Sequence, residues 1–201
     1  MSRLQQEIAN VMGGDTDPTK EHIRQMPFLN CVIKESKWRR YCPNNTLIML
    51  IRPALRLYPS VPLNSREAVK TTILPTGGGP DGTIPILIRK GELVVLSPYI
   101  TARRKNVFGP DAEVFRPERW ESGDLDGAGF AYYPFNGGLR QCLGQDFAMF
   151  EVAYTVVRLL QTFPGIRMPR GESVEPPGTE RQRLTLVLSS SDGCRVEIGG
   201  D

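Results

Sequence analysis

The chain contains no run of about eighteen apolar residues, and so no segment that reads as a transmembrane helix. Its N-terminus, MSRLQQEIANVMGG, is polar and lacks the apolar stretch of a signal peptide. Histidine is nearly absent. His22 is the single one, which excludes most histidine-based catalysis and histidine-rich metal sites; it reads as a surface residue on a helix. The 4 cysteines, Cys31, Cys42, Cys142 and Cys194, form no C-x-x-C pair. Zinc ligation therefore has no support, and nothing marks the secretory context that a disulfide framework needs. The net charge of +3 is too small to argue for nucleic acid or an anionic membrane.

What is present is ordinary for a globular domain: 201 residues, 40% apolar and 23% charged, enough to build a core. Residues 3–11 read as a short helix ending at Gly13-Gly14. From Lys20 to Glu35, Ile23, Met26, Leu29, Val32 and Ile33 fall at helical spacing, and Pro27 breaks the helix in two. Leu55-Arg56-Leu57-Tyr58 reads as a helix end stopped at Pro59 and Pro62. Glu67–Leu74 is β-rich, and the glycine-rich run from Thr76 to Gly82 is a turn. It is no phosphate loop, because no Lys-Ser/Thr and no helix follow it. Ile84–Arg89 and Glu92–Leu96 flank Lys90-Gly91 as a hairpin. Gln145–Thr162 is a helix apolar almost all round, which predicts burial. Arg183–Ser189 and Cys194–Ile198 flank Ser191-Asp192-Gly193 as a second hairpin.

The chemistry concentrates at Phe135-Asn136-Gly137-Gly138-Leu139-Arg140-Gln141-Cys142-Leu143-Gly144. Cys142 lies just before a strong helix, whose N-terminal N–H groups and partial positive charge stabilise a thiolate. Gly137, Gly138 and Gly144 permit positive φ and close backbone approach. Arg140 offers a planar cation to a carboxylate, and Phe135 a flat apolar face. Thiolate, close backbone, carboxylate partner and aromatic wall together suit a haem: iron, propionate and macrocycle. A buried structural cysteine is the simpler alternative for a lone cysteine. It does not explain five fixed residues in the pattern F-x-x-G-x-R-x-C-x-G, which chance supplies about once in ten thousand chains of this size.

That pattern resembles the haem-binding loop of the cytochrome P450 superfamily. Val114-Phe115-Arg116-Pro117-Glu118-Arg119-Trp120 resembles a second segment of the superfamily, whose arginine joins a buried ion-pair network with the Glu and Arg of an E-x-x-R helix. Ile33-Lys34-Glu35 and Leu55–Pro62 look like the two halves of that helix and its exit. The stretch from Glu67 to Pro117 is similar to the fungal branch that hydroxylates alkanes and fatty acids, although a histidine is usual there where Ala102 stands.

The resemblance implies a mainly α fold with small β-sheets (α+β), matching the C-terminal part of the P450 fold and so incomplete, with residues 1–201 as its haem-binding portion. It implies haem b (iron protoporphyrin) with Cys142 as the axial iron ligand and Arg140 as a propionate partner. Gly138 and Gly144 would shape the loop and Phe135 would cover the thiolate. Arg66 would meet a propionate, and Pro62, Leu63 and Asn64 would line the substrate pocket. Glu35, Arg56 and Arg119 would form the structural network. The activity implied is insertion of one oxygen atom of O2 into an apolar substrate, an alkane or fatty acid at its terminal carbon. Electrons would come from NADPH through a reductase, and no nucleic acid is involved. The intact family member is expected in the endoplasmic reticulum membrane, held by an N-terminal part. The oxygen-side helix, most of the substrate region and that anchor are not in this text. Two classes follow: a monooxygenase, or a non-catalytic haem-binding remnant or misfolded product of a truncated gene.

One segment fits none of this. Residues 37–53, with the edges of codons 36 and 54, separate Glu35 from Arg56, which the resemblance would place three apart. Pro43 and Pro53 break any helix that carries them. Ser36-Lys37-Trp38 can be encoded AGT-AAG-TGG, which contains the splice donor GTAAGT. Pro53-Ala54 can be encoded CCA-GCN, which contains an acceptor AG. The reading is a retained intron whose removal leaves Thr between Glu35 and Leu55; the alternative is a true loop insertion.

Overall fold

The computed structural model describes residues 2–14, 17–35, 55–121, 125, 128–167, 169, 181–191, 193 and 195–198. The anomalous insert 37–53, Cys42, Cys194 and Asp192 lie outside the described residues. The architecture is mainly α with four small two-stranded antiparallel sheets. Two compact units divide it: residues 1–62 with 98–201, and residues 63–97.

The first unit opens with α1 (Arg3–Met12), α2 (Lys20–Arg24) and α3 (Pro27–Glu35). Ser2 and Gln5 close a reciprocal capping box on α1, and Gly13 ends it in the left-handed conformation at φ 57°, as a C-terminal glycine does. His22 is half-buried on α2, where its ring accepts from the Thr19 amide and its own amide donates to Thr19 Oγ1. The break at Pro27 falls where the sequence puts it, and proline takes the first helical position, which has no need of an N–H. The amides that follow are satisfied from another helix. Glu7 of α1 accepts from the amides of Phe28 and Leu29, both at 2.8 Å.

Long helix α6 (Gln145–Thr162) packs on α2 and α3. The core of the unit joins Leu4, Ile8, Met26, Leu29, Val32, Ile33 and Leu55 to Ala153, Val156, Val157 and Leu160. All-round burial of α6 is not what the structure shows. Its buried residues begin only at Ala153, and Phe147 near its start is 71% exposed. A smaller cluster gathers Ala102, Phe108 and Ala112 around α4 (Pro98–Thr101) and α5 (Lys105–Phe108). Tyr132 packs on both clusters, its ring 4.7 Å from Trp120.

The strand pairings correct the sequence reading in three places. Glu67–Leu74 is not one strand: β1 (Asn64–Glu67) ends before β2 (Thr72–Gly78) begins. Ile84–Arg89 and Glu92–Leu96 do not pair as a hairpin. Within the second unit β3 (Ile84–Ile88) pairs with β2, and β4 (Leu93–Leu96) with β1. The Arg89 amide donates to the Glu92 side chain at 2.7 Å; the Ala68 carbonyl accepts from the Gly91 amide at 2.8 Å, and the Ala68 amide donates to the Glu92 carbonyl at 3.0 Å. These bonds turn the chain from one sheet to the other. Thr76–Gly78 lies within bulged β2 rather than in the turn; Gly79, at φ 75° and pressed against Ile84, makes the reversal. The third correction is C-terminal. β6 (Gln182–Leu184) folds back on β7 (Leu188–Ser190), while β8 (Glu197–Ile198) pairs with β5 (Ile166–Arg167).

Candidate functional site

Glu35 and Arg56 stand 21 positions apart in sequence and in direct contact in space. Arg56 grips the carboxylate with Nε on Oε2 and Nη2 on Oε1, both at 2.7 Å. Arg119 adds Nε on Oε1 at 2.6 Å, the Arg116 amide donates to Oε1 at 3.1 Å and Trp120 Nε1 to Oε2 at 2.9 Å. The carboxylate thus accepts five hydrogen bonds. Both Glu35 and Arg56 are wholly buried. Remaining donors of the two arginines reach backbone carbonyls: Arg56 bonds Ala102 and Ala112 at 2.8 and 2.6 Å, and Arg119 bonds Phe108 at 2.8 Å and Val114 at 3.0 Å. A buried ionic cluster persists only when every member is satisfied in this way. Burial pushes the Arg56 guanidinium below its usual value, and Glu35 offsets part of that shift.

Two members of the cluster were invisible to motif reading. Trp120 was present in the segment Val114–Trp120, but nothing in its spacing says that the indole N–H meets Glu35. The Arg116 contribution comes from the backbone, which no side-chain pattern records.

The cysteine loop follows the same unit toward α6. A 3-10 turn, Gly138–Arg140, is held by the Gln141 amide on the Gly138 carbonyl at 3.2 Å. The Cys142 amide donates back to the Phe135 carbonyl at 2.8 Å, and the Cys142 carbonyl accepts from Gln145, the first residue of α6. Phe135 packs half-buried against the core, so the loop hangs from a fixed aromatic anchor at one end and from the helix at the other. The free Cys142 thiol is exposed between them.

The three glycines differ. Gly138 takes φ 62° with open space where a Cβ would be, a conformation that favours glycine. Gly137 is extended, and a Cβ there would stand 2.9 Å from Phe130. Gly144 has φ −87° and an added Cβ would meet only the Cys142 sulfur, at 3.9 Å. The expectation of positive φ at all three is corrected to Gly138 alone. Asn136, at φ 61°, is a left-handed residue that sequence reading missed; Asn is among the few residues that tolerate it.

The exposed side chains of the loop and of its flanking segments test whether a haem suits it. Leu139 and Leu143 are fully exposed, and Phe130 and Phe147 are 73% and 71% exposed. Arg140 is exposed, and among the described residues it makes no hydrogen bond or ion pair. An apolar rim, an accessible sulfur and an unengaged cation match a flat apolar ring with iron at its centre and carboxylates at its edge. The residues present fit the group.

Of the other expected residues, Pro62 is buried at the end of the first unit's Leu55–Pro62 segment. Leu63, Asn64 and Arg66 belong to the second unit. There Leu63 is 52% exposed, and Arg66 donates to Asn64 Oδ1 at 3.0 Å and to the Ser65 carbonyl at 2.8 Å.

Comparison with known proteins places the chain in a family. The family model described as cytochrome P450 matches residues 45–191. A "Cytochrome P450" of Arthroderma benhamiae is 50% identical over 98% of this chain. "Cytochrome P450 52A5" of Candida maltosa is 40% identical over 98%, and "Cytochrome P450 52-E3" of Starmerella bombicola is 46% identical over 88%. The chain spans 37%, 34% and 31% of the length of these three relatives. With its cysteine loop, its buried Glu–Arg–Arg cluster and these matches, the chain belongs to the cytochrome P450 family.

Proposed function

We propose that this chain is the haem-thiolate portion of a monooxygenase that inserts one oxygen atom of O2 into an apolar substrate, an alkane or fatty acid at its terminal carbon. The observation that carries the reading is the exposed Cys142 sulfur, in a loop pinned by the Phe135 carbonyl and rimmed by exposed Leu139 and Leu143. Cys142, whose sulfur is accessible, would hold the haem iron. Phe135 shields the sulfur from one side and limits water there. Arg140, exposed in the same loop, would bind a propionate. Gly138 supplies the left-handed turn that presents the sulfur, and Gly144 keeps the helix start clear of it. Haem b, when held there, supplies oxygen activation, and thiolate ligation favours O–O cleavage. Its electrons come from NADPH through a partner reductase. Pro62, Leu63 and Asn64 line the substrate pocket of the whole protein. The likeness to relatives named as the 52A and 52E groups supports the alkane or fatty-acid branch.

The exposed start of α6 favours a second reading for the isolated chain. With Phe147 open to solvent, the 201 residues would hold haem without turning it over, as a non-catalytic remnant. The test is reconstitution of the chain with haem, reduction and CO. A Soret band at the red-shifted position of thiolate ligation, lost in Cys142→Ser, is the expected result. Fatty-acid hydroxylation by the same sample with a reductase would overturn the remnant reading. Absence of the band at saturating haem would overturn haem binding by this chain.

A further inference from the structure

Helix α3 ends at Glu35, and the next described residue is Leu55. Across that gap the Arg56 amide donates to the Lys34 carbonyl at 3.1 Å. In an α-helix an amide donates to the carbonyl four residues earlier. Counted from Lys34, the bond is α-helical only when one residue stands between Glu35 and Leu55. With none it is a 3-10 bond and with two a π-type bond.

Side chains give the same count. With one linking residue, Arg56 follows Glu35 by three, the spacing at which helix side chains face each other, and the two pair through both carboxylate oxygens at 2.7 Å. Leu55 follows Ile33 by four and is buried in the same core cluster as Leu29, Val32 and Ile33. Leu57 follows Glu35 by four and is also wholly buried. The buried stripe of α3 therefore continues in phase through Leu55–Leu57, although 19 residues, 36–54, are written between them.

The sequence of that piece points the same way. Two prolines, Pro43 and Pro53, cannot sit inside the helix they interrupt, and codons 36–37 and 53–54 can carry a splice donor and an acceptor. We propose that the working protein joins Glu35 to Leu55 through one residue, Thr, and that residues 37–53 are an intron read through. This holds whether or not the cysteine loop takes a haem, since every observation behind it lies in α3 and the segment after it.

Two measurements decide it. Sequencing transcripts is expected to find a junction encoding Glu35-Thr-Leu55-Arg56; transcripts that all carry codons 37–53 overturn the proposal. In the protein, residues 36–54 are replaced by Thr in one variant and by Thr-Ala in another. The first closes the helix in register and shortens the chain between its two halves. Its thermal midpoint rises above that of the 201-residue chain, by roughly 5–10 °C. The second rotates Arg56 about 100° from Glu35, and its midpoint falls below that of the first. A Thr variant less stable than the starting chain, or a Thr-Ala variant as stable as the Thr variant, overturns the register argument.

Discussion

Replacing Glu35 by Gln keeps the shape of the side chain and removes its charge from beneath two buried guanidinium groups. The amide nitrogen must occupy the place of one carboxylate oxygen. At Oε1 it faces three donors, Arg56 Nη2, Arg119 Nε and the Arg116 amide. At Oε2 it faces two, Arg56 Nε and Trp120 Nε1. The second arrangement costs less, so two charge-assisted bonds become donor–donor contacts. Such bonds contribute about 1.5–3 kcal/mol each, which makes the loss about 3–6 kcal/mol. Breaking a buried pair from one side costs about 3–5 kcal/mol by an independent route. For a chain of this size the thermal midpoint drops by roughly 6–20 °C. Urea unfolding followed by far-UV circular dichroism measures the change. Glu118→Gln serves as the control: Glu118 is exposed and precedes Arg119, and surface changes of this kind stay within about 0.5 kcal/mol. A Glu35→Gln loss below about 1 kcal/mol, or one matched by Glu118→Gln, would refute the claim that the carboxylate holds the cluster together.

The loop glycines separate in the same assay. Gly138→Ala, at φ 62°, is expected to cost about 1 kcal/mol, while Gly144→Ala, at φ −87°, is neutral or slightly stabilising. Arg140→Ala is expected to leave the stability of the haem-free chain unchanged, because the side chain is exposed and unengaged; haem titration then shows weaker binding, and equal affinity would remove Arg140 from the propionate. Alkaline stability follows from two raised groups. Burial lifts the Cys31 thiol, and burial with the nearby Glu35 charge lifts the Tyr132 phenol. Each keeps its proton longer when folded than when unfolded, so the folded state binds more protons and stability falls as pH rises. The loss begins above about pH 8.5 for the thiol and deepens above about pH 10 for the phenol. Tyr132→Phe is expected to flatten the deeper part; an unchanged slope there would remove Tyr132 as its source.

Local signals were legible in this sequence and long-range pairings were not. Ser2 with Gln5, Pro27 and Gly13 each act within one turn of helix, and α1 to α3 form accordingly. The cysteine loop was legible because five residue types at fixed spacing constrain one another. Lys90-Gly91 misled because a glycine at φ 85° suits a hairpin turn as well as a turn between sheets. The difference lies in Glu92 holding the Arg89 amide and in Ala68 bonding to Gly91 and Glu92. Helix α6 misled in another way, since apolarity reports what a helix can bury and not what this chain gives it to bury against. Glu35 and Arg56 looked separated because they stand 21 positions apart, and chain distance alone does not bound contact in space.

The span of the Glu35 cluster also has a consequence for synthesis. In the 201-residue chain as written, its last donor, Trp120, lies 85 residues downstream. At roughly 5–20 residues per second, a ribosome delivers that tryptophan about 4–17 s after Glu35. Throughout that interval the carboxylate lacks part of its shell and must stay hydrated, so α3 cannot complete its burial as it emerges. The first unit is therefore assembled after translation has passed Trp120, with the apolar face of α3 waiting in solvent for a partner that has yet to be made.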